Sequence, residues 1–131
     1  RYPVERMPSF YAHADALLVS LKKDPVFSLT IPGKVQTYLM SGIPILGMLD
    51  GEGANVINQA NAGLTCSAGD SNGLVSAVMK MAAMSNEQRC QIGSNGRKYA
   101  QEEFGRDMLM DRLDGYLEKA AADYRCVEVV K

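Results

Sequence analysis

Residues 30–46 read TIPGKVQTYLMSGIPIL and contain a helix start, a helix stop and the beginning of a buried strand. Thr30 is predicted as the N-cap, and Pro32 lies in the first turn, where the missing N–H of proline removes no hydrogen bond. Gly42 is predicted to end the helix, and residues 43–46 to form the strand. One face of this helix carries an apolar stripe at helical spacing, formed by Ile31, Val35, Tyr38 and Leu39.

The alternation of helix and strand extends in both directions along the chain. Upstream, residues 16–21 are predicted as a strand that is buried throughout, preceded by a short helix near Pro8 and followed by a loop over residues 22–28. Downstream, a glycine-bracketed turn at residues 50–53 leads into a helix over about residues 54–62.

A third strand and three further helices complete the pattern. Gly63 is predicted to stop the preceding helix, and residues 64–66 to form the strand. Asp70 or Ser71 caps the next helix, and residues 85–88 form a capping box for the helix after it. This order predicts one α/β domain over residues 1–131, with a parallel sheet and helices on both faces. Three strands are few for such a sheet, so we expect the later part of a doubly wound, Rossmann-like domain.

Composition excludes several classes of protein. The 131 residues carry 14 Lys and Arg against 15 Asp and Glu, a net charge of −1 at pH 7 that argues against nucleic acid as a partner. Three separated cysteines (Cys66, Cys90 and Cys126) and one histidine argue against a disulfide framework and against a metal site. The chain has no signal-peptide pattern and no apolar run near the ~18 residues of a spanning helix, so we expect a soluble, cytoplasmic protein.

Two segments are candidate binding sites, because ligands of open parallel sheets bind beyond the carboxyl ends of the strands. The first is Thr30–Lys34, where Gly33 lets a phosphate approach the backbone and Lys34 adds a positive charge to the helix dipole. An ordinary capped helix with one exposed lysine explains the same residues. The second is Asp50–Gly53, whose carboxylates can accept hydrogen bonds from sugar hydroxyls. A plain strand-to-helix turn is the simpler interpretation of that segment.

No residue is assigned a catalytic role. Asp50 and Glu52 form only a weak acid/base pattern, because they lie two residues apart on a turn. His13 is the only histidine. The sequence shows no nucleophile motif that could act with it, so His13 is interpreted as structural.

Taken together, these motifs resemble the carboxyl-terminal domain of GT-B glycosyltransferases, specifically the retaining glycosyltransferase family 4. The likeness covers nearly the whole chain and includes residues 11–19, 32–46, 51, 63–64, 69–70 and 96–104. The segment from Pro32 to Pro44 is most similar to the branch that builds bacterial surface polysaccharides, such as the fucosamine transferases.

The resemblance implies a nucleotide-sugar donor, UDP-linked, as substrate, and no further cofactor. In the family, the donor lies between two domains with its diphosphate on the backbone amides of this helix start. The implied binding residues are Thr30, Pro32, Gly33, Lys34, Thr37, Gly51, Glu52 and Gly53. The family's Glu-x7-Glu motif falls on Leu29 and Thr37, neither of which is acidic. Thr37 then offers the ribose one hydroxyl, and Lys34 compensates at the phosphates.

The resemblance also implies partners that this chain does not contain. A sugar or lipid-linked acceptor would be held by an amino-terminal domain, which would also place the enzyme peripherally on the inner face of the membrane. The 131-residue chain alone is therefore expected to be inactive. A UDP-sugar 2-epimerase-like domain and a stand-alone flavodoxin-like binding domain are the alternatives.

The last helix, predicted from about Asp107 with fraying near Tyr124, carries a regular apolar stripe of Leu109, Leu113, Tyr116, Leu117 and Ala120. Two interpretations are open. The stripe packs on the sheet of its own domain, or it stays exposed and forms a homodimer through this helix.

Overall fold

The structure is a computed structural model that describes residues 2–128. Within that range the chain forms one parallel sheet of three strands, β1 (Leu17–Ser20), β2 (Ile45–Met48) and β3 (Gly63–Cys66), in the order β1-β2-β3. Leu17 is in register with Ile45, and Ile45 with Gly63. The predicted α/β class, with a partial Rossmann-like sheet, is confirmed.

Seven α-helices and one short 3-10 turn (Val4–Arg6) surround the sheet in the described part of the chain. The helices are α1 (Met7–Tyr11), α2 (Pro25–Ser28), α3 (Gly33–Ser41), α4 (Glu52–Gln59), α5 (Ser71–Ala83), α6 (Asn86–Phe104) and α7 (Arg106–Glu128). Among the residues described, none of these helices has the length and apolar character needed to cross a membrane.

Helices cover both faces of the sheet, as predicted. On one face α3, α4 and α6 enclose the larger core, in which Val35, Leu39, Ile45 and Ile57 are fully buried. On the other face α5 packs on β2 and β3, with Met81 against Leu46. Burial of such side chains contributes about 1.5–3 kcal/mol each and is the main stabilising term.

Two predicted helix caps are confirmed. The Asp70 carboxylate accepts a hydrogen bond from Gly73 N at 2.9 Å and begins α5. At the start of α6, Gln88 N donates to Ser85 Oγ while Ser85 N donates to Gln88 Oε1, at 3.2 and 2.8 Å, which completes the capping box.

The prediction that Thr30 caps the helix α3 is wrong. The N-cap is Pro32, and α3 begins at Gly33 without a side-chain cap. Thr30 Oγ1 instead lies 3.4 Å from Phe27 O and donates to it. That carbonyl belongs to α2, which occupies part of the predicted loop over residues 22–28. The carboxylate of Asp24 starts α2 by accepting from Val26 N at 3.0 Å.

Two boundaries and the burial of β1 also differ from the sequence predictions. The strand predicted over residues 43–46 runs from Ile45 to Met48, because Pro44 cannot donate to the ladder. Gly63 is the first residue of β3, and the chain leaves α4 through Asn61, whose φ is +47°. β1 is not buried throughout, because Leu18 is 51% exposed on the face that α5 leaves uncovered.

The helix α7 lies largely in solvent. Leu113 is 48% exposed and Leu117 59% exposed, so the interpretation that the stripe packs on its own sheet is wrong. The helix also continues past the expected fraying point at Tyr124 to Glu128. The homodimer through this helix stays a prediction.

Candidate functional site

The helices α3, α4 and α5 all begin at the carboxyl edge of the sheet. Each follows one strand, so their first residues, Gly33, Glu52 and Ser71, come to the same edge. This edge is where the sequence placed both candidate segments.

The two candidate segments are in contact. Gly53 is buried, and a Cβ on it would lie 3.0 Å from Pro32 Cδ. Gly51 passes so close to α2 that a Cβ would overlap the carbonyl oxygen of Ser28. The turn before α4 is therefore packed between α2 and the start of α3, and Gly53 contributes to this packing rather than to an exposed surface.

The starts of α3 and α4, like that of α1, lack the side-chain caps found at the starts of α2, α5 and α6. Side chains of Asp24, Asp70 and Ser85 cap α2, α5 and α6, whereas the N-cap residues of α3 and α4, Pro32 and Gly51, have no side-chain bond to offer. Uncapped N–H groups and the helix dipole together attract anions.

The first turn of α3 contains two backbone N–H groups that are free to bind a ligand. Val35 N donates to Pro32 O at 2.8 Å, while the N–H groups of Gly33 and Lys34 meet no acceptor within the described residues. Both residues are exposed, and a Cβ on Gly33 would have open space around it. A phosphate can therefore reach these two donors and the Lys34 ammonium together.

Two other predicted residues have partners inside their own helices. Thr37 lies one turn further along α3, and its hydroxyl donates to Gly33 O at 3.0 Å, which leaves its lone pairs for a ligand donor. Thr37 also lines a groove of about 570 Å³ between α1 and α3. Glu52 Oε1 accepts from Asn55 Nδ2 at 3.1 Å, and its exposed carboxylate complements the dipole at the start of α4.

Asp50 has a structural role that the sequence did not indicate. Its Oδ1 accepts from Ala68 N at 3.1 Å, so this carboxylate ties the loop after β3 to the loop after β2. Asp50 and Glu52 thus bond to different partners and do not converge on a common point. The signal for this role is three-dimensional, because the two bonded residues lie far apart in the sequence.

Two other ionisable groups, His13 and Cys66, have structural explanations. His13 Nδ1 donates to Ser9 O at 2.7 Å within the first turns of the chain, which supports its structural interpretation. Burial, and secondarily the charge of Asp70, raise the pKa of the Cys66 thiol, so that this thiol stays protonated and a poor nucleophile at neutral pH.

Comparison of the chain with protein-family models, with curated proteins and with solved structures found no match. The resemblance to GT-B glycosyltransferases therefore rests on the motifs, their order and the α/β fold.

Proposed function

We propose that this chain is the nucleotide-binding half of a glycosyltransferase and holds the diphosphate of a nucleotide-sugar donor, UDP-linked, at the start of α3. The observation that carries the proposal is the uncapped first turn of α3, where the N–H groups of Gly33 and Lys34 and the lysine ammonium are exposed together. The motif resemblance supports the same location.

The proposed chemistry is stabilisation of a leaving group. As the bond from sugar to diphosphate breaks, negative charge grows on the phosphate oxygens. Fixed N–H dipoles and an ammonium group at that point stabilise the charge without a metal ion. The resemblance implies that an amino-terminal domain holds the acceptor sugar. It also implies that the transfer retains the configuration of the donor sugar.

The alternatives draw less support from the described residues. A UDP-sugar 2-epimerase-like domain needs more titratable residues around the sugar than this edge provides. A stand-alone flavodoxin-like domain would have five strands, whereas residues 2–128 form three.

We expect UDP to bind the chain, and Lys34→Ala to weaken that binding about tenfold or more, since a charge-assisted phosphate contact contributes about 1.5–3 kcal/mol. Titration calorimetry measures both affinities. Lys119→Ala, which removes an exposed lysine from α7, is the matched control and should bind UDP like the wild type.

Equal affinities for the wild type and Lys34→Ala would remove Lys34 from the site. A wild-type chain that does not bind UDP would contradict the proposal as a whole.

A further inference from the structure

The pairing of β2 with β3 continues beyond the end of β2. Leu49 N donates to Cys66 O at 3.1 Å, which adds one backbone bond to the ladder. The next bond is made by a side chain, because Asp50 Oδ1 accepts from Ala68 N at 3.1 Å. Among the described residues, this is the only side-chain hydrogen bond that joins residues 50–53 to a part of the chain outside this turn and α4.

The turn that follows Asp50 is packed against the start of α3. A Cβ on Gly53 would lie 2.6 Å from Leu49 Cδ1 and 3.0 Å from Pro32 Cδ, so Gly53 fills the space between the core and Pro32. Pro32 is the N-cap of α3, and its carbonyl accepts from Val35 N at 2.8 Å. Because closely packed groups transmit displacements, a shift of the turn moves Pro32 and redirects the N–H groups of the first turn of α3.

We propose that Asp50 is a positioning residue for the phosphate site. Its bond to Ala68 holds the turn, the turn holds Pro32, and Pro32 sets the direction of the Gly33 and Lys34 N–H groups. The inference rests on the proposed function for the phosphate, and on the contacts of residues 49–53 for the positioning.

The charge of Asp50 and its hydrogen bond have opposite effects on an anion. A carboxylate at this edge of the sheet repels a phosphate, whereas the bond to Ala68 N keeps the phosphate donors in place. Asp50→Asn and Asp50→Ala remove the same charge, but only asparagine keeps a side-chain oxygen that can accept from Ala68 N. We therefore expect Asp50→Asn to bind UDP as tightly as the wild type or more tightly. Asp50→Ala should bind it about fivefold more weakly in titration calorimetry.

Ala68→Pro breaks the same bond from the donor side. Ala68 is the second residue of a turn in which Asp70 N donates to Ser67 O at 3.0 Å and Gly69 has φ +82°, as in a type II turn. Proline is common at the second position of type II turns, so Ala68→Pro removes the N–H and keeps the turn.

The double variant Asp50→Ala/Ala68→Pro tests whether the two residues act through one bond. If they do, it binds UDP no more weakly than either single variant. Losses that multiply in the double variant, or an Asp50→Asn that binds as weakly as Asp50→Ala, would overturn the proposal.

The amide NMR spectrum of the chain without nucleotide reports the start of α3 directly. We expect the Gly33 and Lys34 amide signals to shift in Asp50→Ala and in Ala68→Pro, although both substitutions lie on other loops. The signals should stay near their wild-type positions in Asp50→Asn.

Asn58→Ala is the matched control. It removes the bond from Thr65 Oγ1 to Asn58 Oδ1, at 2.9 Å, which also joins α4 to β3, and it should leave the Gly33 and Lys34 signals in place. Signals that do not move in Asp50→Ala, or that move equally in Asn58→Ala, would overturn the positioning role. A wild type that does not bind UDP would contradict the proposed function, whereas these nucleotide-free shifts would still decide whether Asp50 sets the start of α3.

Discussion

Gly51→Ala is expected to lower the free energy of unfolding by about 2–5 kcal/mol, because the backbone there admits only glycine. Gly51 has φ +72° and ψ −144°, a region in which a side chain strains the backbone. A Cβ would also overlap the carbonyl oxygen of Ser28, and this backbone atom can move only if α2 moves. Urea denaturation followed by circular dichroism measures the loss.

Gly33→Ala is the matched control, since Gly33 begins α3 at the same edge of the sheet. A Cβ on Gly33 meets nothing within 4 Å, so this variant should unfold at the wild-type urea concentration or slightly above it. The same variant should bind UDP more weakly, because the new methyl group lies where the phosphate would approach. Equal stability losses for the two variants would show that the close passage of Gly51 past α2 is unimportant.

The second large effect is expected for Gly93→Ala, with a loss of about 3 kcal/mol in the free energy of unfolding. Gly93 lies on α6 where that helix crosses the end of α3, and a Cβ would overlap the carbonyl oxygen of Gly42. The atoms that the new Cβ would meet are backbone atoms at the end of α3, so the helices must separate and part of the core that they share must open. Thermal and urea unfolding measure the change.

Gly115→Ala is the control for this helix glycine. Gly115 also lies inside a helix, α7, but a Cβ there has open space, so the alanine should stabilise the chain by about 0.5–1 kcal/mol. Opposite signs for the two variants are the expected outcome. A neutral or stabilising Gly93→Ala would mean that α3 and α6 are further apart than the structure places them.

Features set by neighbouring residues could be predicted from the sequence. The capping box at Ser85 and the Asp70 cap involve residues within one turn, and both are confirmed. The predicted cap at Thr30 also involves neighbouring residues, but this prediction is wrong. Pro32 adopts an extended conformation, with φ −62° and ψ 137°, which delays the helix start and leaves the Thr30 hydroxyl near the carbonyls of α2.

Features set by packing could not be predicted in this way. The apolar run of β1 indicated burial on both sides, but the exposure of Leu18 depends on where α5 crosses the sheet. The grouping of the two candidate segments at one edge followed from the parallel order of the strands. The burial of Gly53 beneath Pro32 and the bond from Ala68 to Asp50 depend on contacts that no local pattern encodes.

Because α3 begins without a side-chain cap, a change that stabilises the helix would weaken the proposed phosphate binding. A carboxylate at the N-cap, as in Pro32→Asp, would satisfy a free N–H and typically add about 1 kcal/mol to helix stability. The same carboxylate would occupy the anion position and repel a phosphate from Gly33 and Lys34. Selection for a more stable chain and selection for a tighter-binding one would therefore favour different residues at position 32.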